Sequence, residues 1–190
     1  MKYIKSSASE PIQETLVVIK NDSIKRRLVG EIIRIFEKAG LDIVGLKMTI
    51  PSGKITKYHY PGLKEWRTKV GEETIKYIQQ RTELSKVFDT TDPYEIGTKV
   101  YEWSKKQLSS GKVIVIVPRG PDSIQKVKDL VGPTYPSKAI AGTIRGSYAT
   151  DTVFWSGVEK RALHNVVHRS SSIDEANREI PLWFEKRIEK

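Results

Sequence analysis

The stretch Asn165-Val166-Val167-His168-Arg169-Ser170-Ser171-Ser172 concentrates the side chains best suited to chemistry. Two β-branched residues run into a histidine, and three serines follow. Ser172-Ile173-Asp174-Glu175 has the hydroxyl-to-carboxyl spacing of a capping box, which predicts a helix opening there and running through Glu179 towards Trp183 and Phe184. His168 is therefore expected where a buried strand gives way to a helix start, an edge whose free amides favour anions. An imidazole at its ordinary pKa is largely neutral at pH 7 and can act as a nucleophile without an added base.

Other loops that follow predicted strands carry complementary groups. Lys20 ends the first strand, Thr134 and Arg145 lie in a long loop, and Asn165 precedes the last strand. Charge-assisted bonds from lysine and arginine hold phosphates, and amides and hydroxyls recognise ribose. The Gly-x-x-x-x-Gly-Lys-Ser/Thr phosphate loop is absent, so a nucleotide site here is of another kind.

These loops need a scaffold. Met1 to Glu14 is polar and is expected to be a flexible tail, leaving 15–190 as a single domain. Thr15 to Ile19 is a buried-strand pattern, and the three- and four-residue apolar steps from Ile24 to Ala39 predict an amphipathic helix ended by Gly40. Leu41 to Ile50 predicts a second strand. A short helix over Ile55 to Tyr60 and longer ones over Leu63 to Arg81 and Pro93 to Leu108 follow, so that about 61–110 forms a helical insertion. Val113 to Val117 is the clearest strand, ended by Pro118, and Ile124 to Val131 a further helix. Gly132 to Gly146, with two prolines and three glycines, predicts an irregular loop. A second polar excursion over Ser147 to Lys160 leads to the strand bearing His168. The order suits an α+β, ferredoxin-like sandwich, an antiparallel sheet with helices on one face.

Composition narrows the function. With no cysteine, disulfides, thiol catalysis and cysteine zinc sites are excluded, and the chain fits a reducing cytoplasm. No apolar run approaches a membrane span. Of three histidines, His59 and His164 are assigned to surface or packing. The net charge of +10 suits phosphate-bearing partners, or simply a lysine-rich solvated surface. Its dispersal along helices makes nucleic acid a secondary partner at most.

Several separated motifs together resemble nucleoside diphosphate kinase: Val18-Ile19-Lys20-Asn21-Asp22, Arg27 to Ile33, Gly142-Thr143-Ile144-Arg145-Gly146, Asn165-Val166-Val167-His168-x-Ser, and Glu179-Ile180-x-Leu182-Trp183-Phe184. The likeness spans 15–184, and the extra helices resemble longer archaeal members. It implies a ferredoxin-like fold and ping-pong transfer of the γ-phosphoryl group from ATP, GTP or another nucleoside triphosphate to a diphosphate through phospho-His168. It also implies roles for matching residues. Lys20 contacts phosphate and the ribose 3′-hydroxyl, Asn165 that hydroxyl, and Arg145, Thr134 and Lys128 the phosphates. Tyr60 sits near the histidine, while Glu179 and Ser170 orient its ring. Mg2+ arrives on the nucleotide, and the chain forms a homo-oligomer, a hexamer by preference.

Four positions depart from the family pattern. Asn21 stands where proline is usual, Lys128 where an arginine clamps phosphate, Arg169 where a small residue follows the histidine, and Ser171 where aspartate is common. Arg169 either crowds the phosphohistidine or adds a phosphate contact. These departures motivate the competing expectation of a weakly active or inactive nucleotide- or nucleic-acid-binding relative. A mainly regulatory assembly subunit is a third.

Overall fold

A computed structural model of the chain describes residues 11–184. Five strands form one antiparallel sheet among the described residues: β1 (Ile12–Glu14), β2 (Val17–Ile19), β3 (Asp42–Thr49), β4 (Val113–Pro121) and β5 (Val167–Arg169). β4 is the spine. β3 pairs along one of its edges, and β1 and β2 follow one another along the other, opposite Arg119 to Pro121 and Ile114 to Ile116. β5 pairs with the far edge of β2, which sets His168 opposite Val18. This is the strand order of the predicted ferredoxin-like sandwich.

Part of the expected N-terminal tail is therefore structured. Ile12–Glu14 hydrogen-bond to the end of β4, and the same pairing carries β4 past Pro118, where the sequence predicted its stop. The proline is tolerated because the partner strand changes there from β2 to β1. Residues 1–10, the rest of that expected tail, lie outside the described residues.

Alternation along β4 divides the core. Ile114 and Ile116 face a cluster with Val17, Ile19, Val166 and Val167, covered by Ile32 and Phe36 of α2 (Val29–Lys38, after α1, Asn21–Lys25). Val127 and Val131, from a helix further along the chain (Ser123–Val131), close that layer. Val113, Val115 and Val117 face the opposite side, where Leu16, Val18, Leu108 and Trp183 bury them. The second face is thus covered as well, by helix ends rather than by a complete layer. That is why β4 is apolar at five successive positions and not alternating.

The predicted helix from Ile24 to Ala39 is divided in two. Arg27 takes a left-handed φ of +59°, which ends α1 before α2 begins. The break lets Ser23 turn its hydroxyl onto the Val166 carbonyl at 2.8 Å, a tie that an uninterrupted helix starting at Ile24 leaves out. Gly40, at φ +76°, ends α2 as expected.

The middle of the chain supplies α3 (Gly53–Tyr58), α4 (Lys64–Gln79) and α5 (Pro93–Ser109), with a 3-10 turn at Leu84–Lys86. A third apolar cluster around Tyr77, Ile78, Leu84, Phe88, Ile96 and Val153 holds α4, the 3-10 turn and α5 together, while Ile55 of α3 packs on the second cluster. α4 and α5 touch backbone to backbone at Gly71 and Gly97, where a Cβ on either glycine falls 1.8 Å from a carbonyl oxygen of the other helix. Beyond α6 (Ser123–Val131), the long loop and the polar excursion each contain a short helix that the sequence did not predict: α7 (Ile144–Tyr148) and α8 (Val153–Val158). Hydroxyl caps explain both, with Thr143 accepting from Gly146 N and Thr152 from Trp155 N. The last helix, α9 (Ile173–Trp183), starts at the predicted Ser172 cap.

Contact at Gly71 and Gly97 leaves no room for a methyl group. Gly97→Ala should lower stability by about 2 kcal/mol or more, because the helices must separate. Gly30→Ala, in α2 with no atom within 4 Å of the new Cβ, should be neutral or stabilising. Thermal unfolding of the two variants checks this; equal melting temperatures would refute the close contact.

Candidate active site

The carboxylate of Glu179 is the point from which the site is built. It is 1 % exposed yet fully partnered: His168 Nε2 donates to Oε2 at 3.0 Å, Ser170 Oγ to Oε2 at 2.7 Å, and Arg178 Nη2 to Oε1 at 2.9 Å. Burial alone raises its pKa, but the adjoining His168, by its charge when protonated and by its hydrogen bond, then His59 and the Ser170 bond, bring it down to about 2. An ionised carboxylate on Nε2 fixes the neutral imidazole as the tautomer with hydrogen on Nε2. The lone pair then lies on Nδ1, which has no protein partner among the described residues and lies on a residue lining a cavity of about 610 Å³.

Chain connectivity explains why the ring sits there. Val166, a β-branched residue, is forced to φ +73°, and Val167 N donates to Asn165 O at 2.9 Å to close a three-residue turn. The Val166 carbonyl is held from outside by Lys20 N at 3.1 Å and Ser23 Oγ at 2.8 Å. This strained turn brings Asn165 and His168 to the same cavity. Arg145, 4 % exposed, then ties three loops together, donating to the carbonyls of Gly132, Asn165 and Val167 at 2.8, 3.1 and 2.8 Å.

A second chain of bonds joins Lys20 Nζ to Asn165 Oδ1 at 2.7 Å, and Asn165 Nδ2 to Thr134 O at 3.0 Å. Of the residues named from sequence, Lys20, Tyr60, Thr134, Arg145, Asn165, His168 and Glu179 all line the one cavity, with Ser170 directly beneath Glu179. Lys128 does not line it and points outward, exposed, from α6. A lysine at the last turn of a helix whose apolar face is buried keeps its ammonium in water.

Three contributors, His59, Arg178 and Trp103, were missed, while Trp66 and Phe88 were candidate base-stacking aromatics left outside the site. His59, assigned to surface or packing, is fully buried. Its ring lies 4.2 Å from that of His168, edge to face, and its Nδ1 accepts from Trp183 Nε1 at 3.2 Å. Burial first, and then the charge of His168, holds it well below the usual imidazole pKa, so it packs as a neutral wedge. Arg178 donates to the carbonyls of Tyr58 and His59, at 2.9 Å each, and so joins the end of α3 to Glu179. Its position directly before Glu179 was the available signal. Trp66 and Trp103, on helices of the predicted insertion, form an apolar wall with Phe88.

His59, His168 and Glu179 place potential metal-ligating atoms within 4.8 Å of one another. Two ring nitrogens and one carboxylate do not suit Mg2+, and His168 Nε2, His59 Nδ1 and the carboxylate are already in hydrogen bonds. The cavity's other groups favour anions instead: Lys20, Arg145 and Arg169 face it together.

Comparison with known proteins places the chain in a family. The nucleoside diphosphate kinase family model matches residues 13–92 and 81–188. The chain belongs to the nucleoside diphosphate kinase family. It is 41% identical over 175 residues to the nucleoside diphosphate kinase of Pyrobaculum aerophilum, which covers 92% of this chain and 96% of that one. A crystal structure of an NDP kinase from the same organism superposes with a TM-score of 0.85 at 39% identity, covering 92% and 96% of the two chains. A nucleoside-diphosphate kinase of Borrelia burgdorferi, solved as a transition-state mimic with bound vanadate and ADP, superposes with a TM-score of 0.70 at 30% identity, covering 91% and 87%. Members of this family are phosphotransferases, and that class holds for this chain.

Desolvation lowers the Lys20 ammonium to about 8, partly offset by Asp22. Its charge is present below that pH and lost above it, so attraction for phosphate weakens as pH rises. Titration with ADP should show affinity falling by up to about tenfold from pH 7 to pH 9, and Lys20→Arg should flatten the slope. A wild-type affinity constant across that window would contradict it.

Proposed function

We propose that the chain moves the γ-phosphoryl group of a nucleoside triphosphate onto Nδ1 of His168 and then onto a nucleoside diphosphate. The observation that carries this is the bond from His168 Nε2 to Glu179, which leaves Nδ1 as the nucleophilic nitrogen beside the cavity cations. In the first half-reaction the Nδ1 lone pair forms a bond to phosphorus, and the bond from phosphorus to the bridging oxygen breaks. The diphosphate leaves with the electron pair. Positive charge gathers on the ring, whose Nε2 proton stays on the Glu179 hydrogen bond, so the carboxylate stabilises the phosphorylated ring. The second half-reaction reverses these steps with a new diphosphate.

Ser170 and Arg178 keep Glu179 ionised and aimed, which makes them positioning residues. Lys20 and Arg145 face the phosphates and Asn165 the ribose hydroxyl, with Thr134 on the loop opposite. Burial, and then the Glu179 charge, raises the Tyr60 phenol above its ordinary pKa, keeping it a donor. The apolar wall of Trp66, Phe88 and Trp103 offers a flat face for any base, and α4 and α5 form the insertion that carries most of it. Mg2+ would enter on the nucleotide, where it spreads phosphate charge; among the described residues the one group of potential ligands, His59, His168 and Glu179, does not suit it.

A homo-oligomer, a hexamer by family preference, is supported by the open outer edge of β3, where Leu46 and Met48 are exposed. Among the described residues no helix is long and apolar enough to cross a membrane, and the absence of cysteine suits the cytoplasm. The dispersed positive charge leaves nucleic acid as a secondary partner.

Incubation with γ-labelled ATP should give an acid-labile, alkali-stable phosphoprotein that GDP discharges as labelled GTP. His168→Ala should abolish the label entirely. Label surviving that substitution would show that another residue carries the phosphoryl group.

A further inference from the structure

Two guanidinium groups, those of Arg145 and Arg169, face the same cavity. Strand alternation puts Arg169 on the same face of β5 as Val167, towards Arg145 and α6, and both arginines line the cavity. Arg169 Nη1 donates to Ser171 Oγ at 2.9 Å, while its Nε is buried with no partner among the described residues. Arg145 has only carbonyl partners. Among the described residues neither group forms a salt bridge with a carboxylate; Glu175, nearby, is held by the amide of Ser171 at 2.6 Å. Burial and then the charge of Arg169 both disfavour the cationic form of Arg145, so the two charges are close enough to repel. Like charges buried together are stabilised when an anion lies between them.

Two sequence departures become intelligible together. The α6 side chain at 128 is an exposed lysine outside the cavity lining, so the expected phosphate clamp from that helix does not reach the site. Ser171 offers only a hydroxyl, where a carboxylate would capture Arg169 in an ion pair.

We propose that Arg169 is a phosphate-binding residue of this site, its guanidinium holding nucleotide phosphate oxygens opposite Arg145 in place of a side chain from α6. This rests on the phosphotransfer function above and assigns a residue to it. The planar fork offers two parallel bonds to phosphate, and Arg169 lines the same cavity as His168.

Tryptophan fluorescence, reported by Trp66 and Trp103 in the cavity wall, measures binding of ADP and of adenosine to wild type, Arg169→Lys and Arg169→Ala. Expected are an ADP dissociation constant and diphosphate KM raised about tenfold or more in Arg169→Ala, an intermediate rise in Arg169→Lys, and unchanged adenosine binding. Unchanged or tighter ADP binding overturns the proposal, as it would if the arginine merely crowds the histidine. Equal losses for ADP and adenosine also overturn it, since that is what a structural role gives. Should Arg169→Ala alter the near-UV circular dichroism, Arg169→Gln gives the same alternatives. If wild type takes up no label from ATP, the phosphotransfer function itself fails; if wild type is labelled and ADP binding ignores Arg169, only this assignment fails.

Discussion

A single buried carboxylate anchors the active site. Glu179 is stable as an anion only because three donors from three different places meet it: the ring of His168 on β5, the hydroxyl of Ser170 just beyond that strand, and Arg178 beside it on α9. Removing one partner of such a buried charge typically costs roughly 3–5 kcal/mol. The requirement therefore fixes the angle at which α9 packs on the sheet. Trp183, one turn further on, fills the second core face and bonds to His59, which in turn lies against the His168 ring. Packing and chemistry share the same few residues.

Arg145 serves the opposite side of the cavity. Its guanidinium lines the cavity and also donates to three carbonyls, so it ties the Gly132 loop to the Asn165 to Val167 segment at fixed separation. Lys20 and Asn165 extend that tie to the end of β2. The site is thus made from loops that have little regular structure, held rigid by polar groups that span them.

Much of this was legible in the sequence because it depends on local rules. The capping box at Ser172, the apolar run of β4 and Gly40 at the end of α2 each follow from patterns a few residues long. What was not legible depends on distant partners. Ile12–Glu14 forms a strand only because β4 outlasts β2, and the left-handed Arg27 divides a continuous helical pattern where Ser23 bonds to Val166, far along the chain. The family resemblance located most of the cavity residues, but it placed a clamp at Lys128 that the fold turns outward. His59 looked ordinary because nothing local tells a buried histidine from an exposed one.

The strained turn at Val166 has a consequence for how the molecule is made. Its carbonyl is held by Lys20 and Ser23, and Ser23 lies 143 positions earlier in the chain; the bond between Lys20 and Asn165 spans 145. A nascent chain leaving the ribosome can form β2 and α1 early, yet Lys20 and Ser23 have nothing to grip until almost all of it has emerged. Contacts of such long range close late in folding. A chain cut short before Asn165 and Val166 cannot make these bonds, so the geometry around His168 is set only when nearly the whole domain is present.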